Sequence, residues 1–348
     1  MNKFLKCSIM AATILSLTGC SGGEDKPTLK VFNWGEYMDL NLLEEFESEF
    51  DCEVVYETFD TNESMYAKLQ GGNDYDILVP SEYMIERLIK EDLVQKIDME
   101  QIPNMENIDP EILGQSFDPK NEYWVPYFSG NVGILYDSTV IDEADLEAGW
   151  DVLLNEKYAG NLYMYDSVRD SFLPALKSLG YSMNTTNETE IKEAYEWLAN
   201  QKETMDPVYV GDEVIDSMVR GEKAMAVMYS GDAAYVQTEN EDMKFFMPEE
   251  GTNFWFDGMV MTKTCEQTEL ATAFMNFMSS NDSALANTNE VGYFTTNVNA
   301  ASEAKEADYS DISSYGIRYG EKDERFTYQD DATIEMYNEY WERIITMS

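Results

Sequence analysis

The run Asn253-Phe254-Trp255-Phe256-Asp257-Gly258 places three aromatic rings beside one carboxylate. In an extended chain the side chains alternate, so Trp255 and Asp257 share one face while Phe254 and Phe256 share the other. An indole ring next to a carboxylate suits an organic cation. Such a ligand gains from the electron-rich ring face and from a charge-assisted hydrogen bond. The same residues also fit a core strand capped by the turn-like run Pro248–Thr252. Rings and acids stand together at other places too. Trp34–Tyr37, Asp60–Glu63 and Ser81–Tyr83 each follow a run that reads as a strand.

The composition narrows the chemistry. There is no histidine among the 348 residues, which excludes Ser-His-Asp and Cys-His catalysis, imidazole-based zinc sites and histidine proton shuttles. A hydrolase built on two carboxylates stays open, although no hydrolase motif appears. The net charge of −45 repels nucleic acid, anionic membrane surfaces and polyphosphates, and attracts cations. Most of these acids read as a solvated surface. Methionine is abundant, with 21 residues, and reads as core filler.

The elements that must hold these residues follow in order. Leu29–Phe32, Glu53–Phe59 and Tyr75–Val79 read as strands. Helical spacing falls at Leu40–Phe50, from an Asn62 cap to Leu69, and from Ser81 or Glu82 to Lys90. This alternation predicts an α/β architecture with mostly parallel sheets, whose ligands gather beyond the carboxyl ends of the strands. Residues 97–123 are rich in loops. Trp124–Tyr127 and Gly133–Asp137 are strand-like, and Trp150–Tyr158 looks helical. A second α/β set runs from about Tyr136 to Phe254, with buried strands at Asn161–Tyr165 and Ala224–Tyr229. Met259–Met261 is a strand, Leu270–Ser280 a helix, Asn289–Tyr293 an aromatic turn and Thr327–Ile345 a helix. The length suffices for two full cores.

The first 19 residues read as a targeting segment. Lys3 and Lys6 precede an apolar run, Cys7–Leu17, of signal-peptide length. Leu17-Thr18-Gly19-Cys20 resembles the lipobox of bacterial lipoproteins, which implies a thiol acylated at Cys20. Residues 21–27 then form a tether. Cys52 and Cys265 remain, and their spacing leaves both a disulfide and two buried thiols open.

Several blocks together resemble the spermidine/putrescine-binding proteins of polyamine ABC importers. They are Phe32–Tyr37, Asn62–Leu69, Tyr75–Ser81, Gln95–Asp98, Phe117–Pro119, Lys157–Gly160, Leu179–Ser182 and Phe254–Asp257, collinear over nearly the whole chain after the leader. The resemblance implies a two-lobed type II binding protein, each lobe a mostly parallel sheet flanked by helices. One lobe would take residues 28–134 and 257–302, the other 135–256 and 303–348, with Phe254–Gly258 as a crossing and ligand seat at once. It implies a ligand set of Trp34, Glu36, Tyr37, Ser81, Tyr83, Asp170, Tyr229, Trp255, Asp257, Tyr293 and, by a looser match in spacing, Gln329. Tyr229 stands where members often have Trp. Ser167 stands where members can carry a carboxylate, a departure that favours the shorter putrescine over spermidine.

The resemblance also implies an exported, monomeric protein, lipid-anchored at the outer face of the cytoplasmic membrane or periplasmic. Its partners would be a polyamine and the ABC permease, with no nucleic acid, cofactor, metal or catalysis. On this reading the rings wall the methylenes while Asp257 anchors one amine and Glu36 the other. Two other outcomes remain open: the same fold holding another small solute, and a polyamine sensor rather than a transport component.

Overall fold

The computed structural model describes residues 26–347, so the leader and Cys20 lie outside the described residues. Leu29, Val31 and Phe32 are all buried, which makes Thr28–Trp34 an inner strand, β1. Leu29 and Val31 face one core and Phe32 the other. The helix α1 (Asn41–Phe50) turns Leu42 and Phe46 inward and its acids outward. Next come β2 (Glu53–Phe59), α2 (Asn62–Gln70), β3 (Ile77–Leu78) and α3 (Glu82–Lys90). Both β2 and β3 pair parallel with β1. The cap of α2 is Thr61, which exchanges hydrogen bonds with Ser64 in a capping box. Asn62, expected as the cap, instead turns its amide inward to Ser81 and Tyr83.

The two strand-like runs at 124–137 are one strand, β4 (Trp124–Asp137). A register shift between Pro126 and Ser129 absorbs the proline, which has no N–H to donate. The helix expected at Trp150–Tyr158 is replaced by 3₁₀ turns over Glu143–Leu154 and Glu156–Tyr158. Gly149 interrupts the first of these at φ 61°, with the Glu250 carboxylate against its Cα.

The chain continues through β5 (Leu162–Tyr165), α4 (Val168–Ser178), α5 (Glu188–Met205), β6 (Val208–Val210), α6 (Glu213–Val219), β7 (Met225–Tyr229), α7 (Ser230–Glu239) and β8 (Met243–Phe246). It returns along β9 (Phe254–Met261). Then follow α8 (Thr268–Met278), α9 (Asn281–Val291), β10 (Phe294–Thr295), α10 (Val298–Ala307) and α11 (Asp331–Thr346). The aromatic turn expected at Asn289–Tyr293 is mostly the end of α9, which Gly292 caps at φ 77°.

The strand order is β2-β1-β3-β9-β4-β7-β5-β6. The outer strands are parallel within each end, as expected. The middle differs: β4 and β9 pair antiparallel with each other and with their neighbours. They carry the chain from one end of the sheet to the other and back, so they run in opposite senses. β4 pairs with β9 up to Asn131 and with β7 from Val132 onward.

Each end of the sheet is covered on both faces. Around β1, β3 and β9 one face packs Phe46, Phe274 and Met275, and the other Phe59, Ile85 and Trp124. Around β5 and β7, Trp150, Phe172, Leu198 and Trp341 cover one face, and Val214, Met218 and Val236 the other. Each such side chain contributes about 1.5–3 kcal/mol on burial. Cys52 and Cys265 are free and buried. Burial holds the Cys265 thiol up at about 12, and raises Cys52 as well. No helix among the described residues is long and apolar enough to cross a membrane.

Candidate ligand-binding site

The alternation read at 253–258 is the observed one. Phe256 enters the core that holds Trp124 and Ile85. Trp255 enters the opposite cluster with Tyr37 and Tyr293, and Asp257 Oδ2 accepts the hydroxyl of Tyr37 at 2.7 Å. Ser81 bridges to Asp257 through the backbone. Trp255 is 7% and Asp257 5% exposed, so indole and carboxylate are buried together.

The rings form a continuous run across the middle of the sheet. Trp34, at the end of β1, lies 6.5 Å from Tyr37, which lies 5.2 Å from Tyr293. Tyr293 is 5.5 Å from Trp255, Trp255 6.0 Å from Tyr229, and Tyr229 4.7 Å from Tyr165. Two glycines make this packing fit. A Cβ on Gly231 would fall 2.4 Å from the Tyr293 ring, and one on Gly130 would fall 2.8 Å from the Trp255 ring.

Acids punctuate the run. Tyr229 donates to Asp170 Oδ2 at 2.8 Å, and Ser167 Oγ donates to the same oxygen at 2.6 Å. Asp232 accepts from Tyr293 at 2.7 Å and from Tyr165 at 3.0 Å. Asp257 Oδ1 and Trp255 Nε1 are buried and have no hydrogen-bond partner among the described residues. Burial pushes the Asp257 carboxyl up to about 6, opposed by the nearby hydroxyls of Tyr37 and Ser81. It pushes Asp232 up to about 6 against those from Tyr293 and Tyr165. Asp170 is also raised by burial, opposed by Ser167, Tyr229 and Arg169. A buried acid held in this way favours either a proton or a nearby cation.

The structure brings together Trp34, Tyr37, Ser81, Asp170, Tyr229, Trp255, Asp257 and Tyr293. Tyr83 flanks them. Its hydroxyl donates to Glu63 and accepts from Asn62, and the Arg169 guanidinium lies 4.3 Å over its ring. Glu36 stands apart: it is exposed at φ 46° and joins none of these hydrogen bonds. It lies at the rim near Asp212, whose carboxyl is raised by burial and by the charges of Asp60, Glu213 and Glu36. Gln329 is buried beside Tyr337 and joins none of the hydrogen bonds that link the others. Asp232 is the residue that reading the sequence missed. Its signal was the Ser230-Gly231-Asp232 opening of α7, directly after a buried strand that ends in Tyr229.

These raised carboxyls set a pH dependence. A carboxyl raised in the folded state supplies stability that is complete below its unfolded value and is lost as pH rises through the folded one. For Asp257 and Asp232 the window runs from about 4 to about 6, and for Glu82, raised to about 8 by burial, it extends to about 8. Ligand-stripped protein is therefore expected to melt at a progressively lower temperature from pH 5 to pH 8. Calorimetric scans check this, and a flat or rising melting temperature would refute it.

A two-ended sheet with rings and acids buried where its crossing strands meet is the design of a protein that closes on a small solute. The chain belongs to the bacterial extracellular solute-binding protein family, whose model matches residues 41–313. Its two-lobed fold is that of the type II periplasmic binding proteins. Among relatives, it is 35% identical to the spermidine/putrescine-binding periplasmic protein of Salmonella typhimurium over 297 residues, 84% of each chain. It is 32% identical to the Escherichia coli K12 protein of the same description over 341 residues, 97% of each. Among solved structures, the spermidine/putrescine ABC transporter substrate-binding protein PotD of Streptococcus pneumoniae is 37% identical with a TM-score of 0.76, covering 92% of this chain and 98% of that one. The TpPotD lipoprotein of Treponema pallidum is 27% identical with a TM-score of 0.78, covering 91% and 99%.

Proposed function

We propose that this protein captures a polyamine between its two lobes and delivers it to an ABC permease. The lobes are residues 28–134 with 257–302 and residues 135–256 with 303–348, and Trp34, Tyr37, Ser81, Tyr83, Asp170, Tyr229, Trp255, Asp257 and Tyr293 contribute to the site. The observation that carries this reading is the run of rings punctuated by Asp257, Asp232 and Asp170, all buried and none in an ion pair with a basic side chain among the described residues. Methylenes gain from the ring faces, at about 0.5–2 kcal/mol for each cation–π contact, and ammonium groups compensate the acids. Glu36 and Gln329 lie at the margin, and Asp232 takes the role first expected of Glu36.

Ser167 carries no charge, and Asp170 already accepts from Ser167 and Tyr229 with the Arg169 charge nearby. The end of the site near α4 therefore offers little to a further ammonium, which supports putrescine as the preferred ligand. Acylation at Cys20 would tether the monomer to the outer face of the membrane, and fatty-acid labelling is the test of that anchor. Binding shifts the protein toward its closed form, which the permease reads.

A thermal-shift and calorimetric panel of putrescine, cadaverine, spermidine and spermine on ligand-stripped protein tests the reading. The expected result is micromolar or tighter binding of putrescine. Absence of binding heat with every member would overturn it.

A further inference from the structure

Glu82 opens α3 and is 0% exposed, yet it meets no basic side chain at ion-pair distance among the described residues. Its two oxygens accept backbone N–H groups from two distant stretches. Oε2 accepts from Phe256 at 3.4 Å, the residue before Asp257 in β9. Oε1 accepts from Phe326 at 3.1 Å, in the strap of residues 324–328 that precedes α11. One turn along, Glu86 Oε2 accepts from Tyr328 N at 3.3 Å and lies 3.8 Å from Arg325 Nη1. One face of α3 thus holds the strap at two points.

The same strap is tied to the far end of the sheet. Lys177 lies 2.9 Å from Glu324. Asn184 donates to Arg325 O at 2.8 Å and accepts from Thr327 N at 2.9 Å. The Phe326 ring packs in the core around Phe172 and Trp341. Glu82 therefore touches both the strand that carries Asp257 and the strap that spans the two ends. The charged groups that act on it are Asp257 from β9, which disfavours its ionisation, and Arg325 from the strap, which favours it.

We infer that Glu82 is a positioning residue that couples the charge at Asp257 to the strap. A cation seated at Asp257 lets Glu82 release its proton to solvent and tighten on Phe256 and Phe326. This rests on the polyamine reading above. Two carboxylates in one dry site do not both ionise readily, and a bound ammonium removes that conflict. An ionised carboxylate then accepts N–H bonds more strongly than a neutral one. Before binding, burial keeps Glu82 largely protonated at neutral pH, with its carboxyl at about 8.

The test is calorimetry of putrescine binding to ligand-stripped protein at pH 7.5 in two buffers of different ionisation enthalpy. Wild type is expected to release about half a proton per putrescine bound, and Glu82→Gln about a tenth or less. A merely structural Glu82 would change stability without changing this count. Equal release by the two proteins overturns the coupling, as does wild-type release close to zero, which needs no variant. In either of those outcomes putrescine still binds and the polyamine reading stands. Absence of binding by wild type overturns both.

Discussion

Replacing Asp257 by asparagine is expected to weaken putrescine binding about 100-fold, equivalent to about 2.8 kcal/mol, while leaving the ligand-free protein as stable or more so. The two halves of this expectation share one cause. Asp257 is buried, and only its Oδ2 is met, by Tyr37. With ligand, the charge supplies a dry ammonium contact, and removing one member of such a pair costs about 2–5 kcal/mol. Without ligand, the same charge is a liability. Burial pushes the carboxyl from its usual 3.8 up to about 6, so ionising it at pH 8 costs about 3 kcal/mol. Asparagine keeps the shape and still accepts from Tyr37. Calorimetry on ligand-stripped Asp257→Asn, paired with melting at pH 8, separates the two effects. Unchanged affinity would remove Asp257 from the site.

Asp232→Asn is expected to weaken binding about tenfold, about 1.4 kcal/mol. Both of its oxygens already accept tyrosine hydroxyls, from Tyr293 and Tyr165. Its charge therefore reaches the ligand partly through Tyr293, whose ring lies 5.5 Å from Trp255, and the loss is smaller than at Asp257. Glu36→Gln serves as the contrast, because Glu36 is exposed at the rim. A screened rim charge should alter the association rate and its salt dependence more than the affinity. Titrations of both variants in one buffer decide the ranking. A larger loss from Glu36→Gln than from Asp232→Asn would reverse the assignment.

What the sequence disclosed, and what it concealed, follows from the range of the forces involved. Alternation along 254–257 is a local property, so the facing of Trp255 and Asp257 could be read directly. The first three strands and helices announced themselves through apolar spacing and turn residues; the third strand is shorter than the run Tyr75–Val79, spanning Ile77–Leu78, and the choice of Thr61 over Asn62 as cap escaped. That choice depends on Ser81 and Tyr83, which are distant in sequence. The antiparallel middle of the sheet, β4 with β9, joins residues more than a hundred positions apart and leaves no periodic trace. The break at Gly149 depends on Glu250 in the same way. Asp232 was hidden because an acid near a helix start reads as dipole compensation, while its partners Tyr165 and Tyr293 lie 67 and 61 residues away. Glu36 stands between two aromatic residues in the sequence, and only the structure shows that its backbone, at φ 46°, leaves it exposed at the rim.

The two interior thiols have a practical bearing. With Cys52 and Cys265 shielded and the Cys265 sulfur far from its reactive anionic form, a secreted version lacking Cys20 would present no nucleophilic sulfur to a maleimide dye. One cysteine introduced in place of the exposed Glu36 could then carry a fluorophore without removing either native interior thiol. The molecule thus arrives ready for conversion into an optical reporter of its own solute.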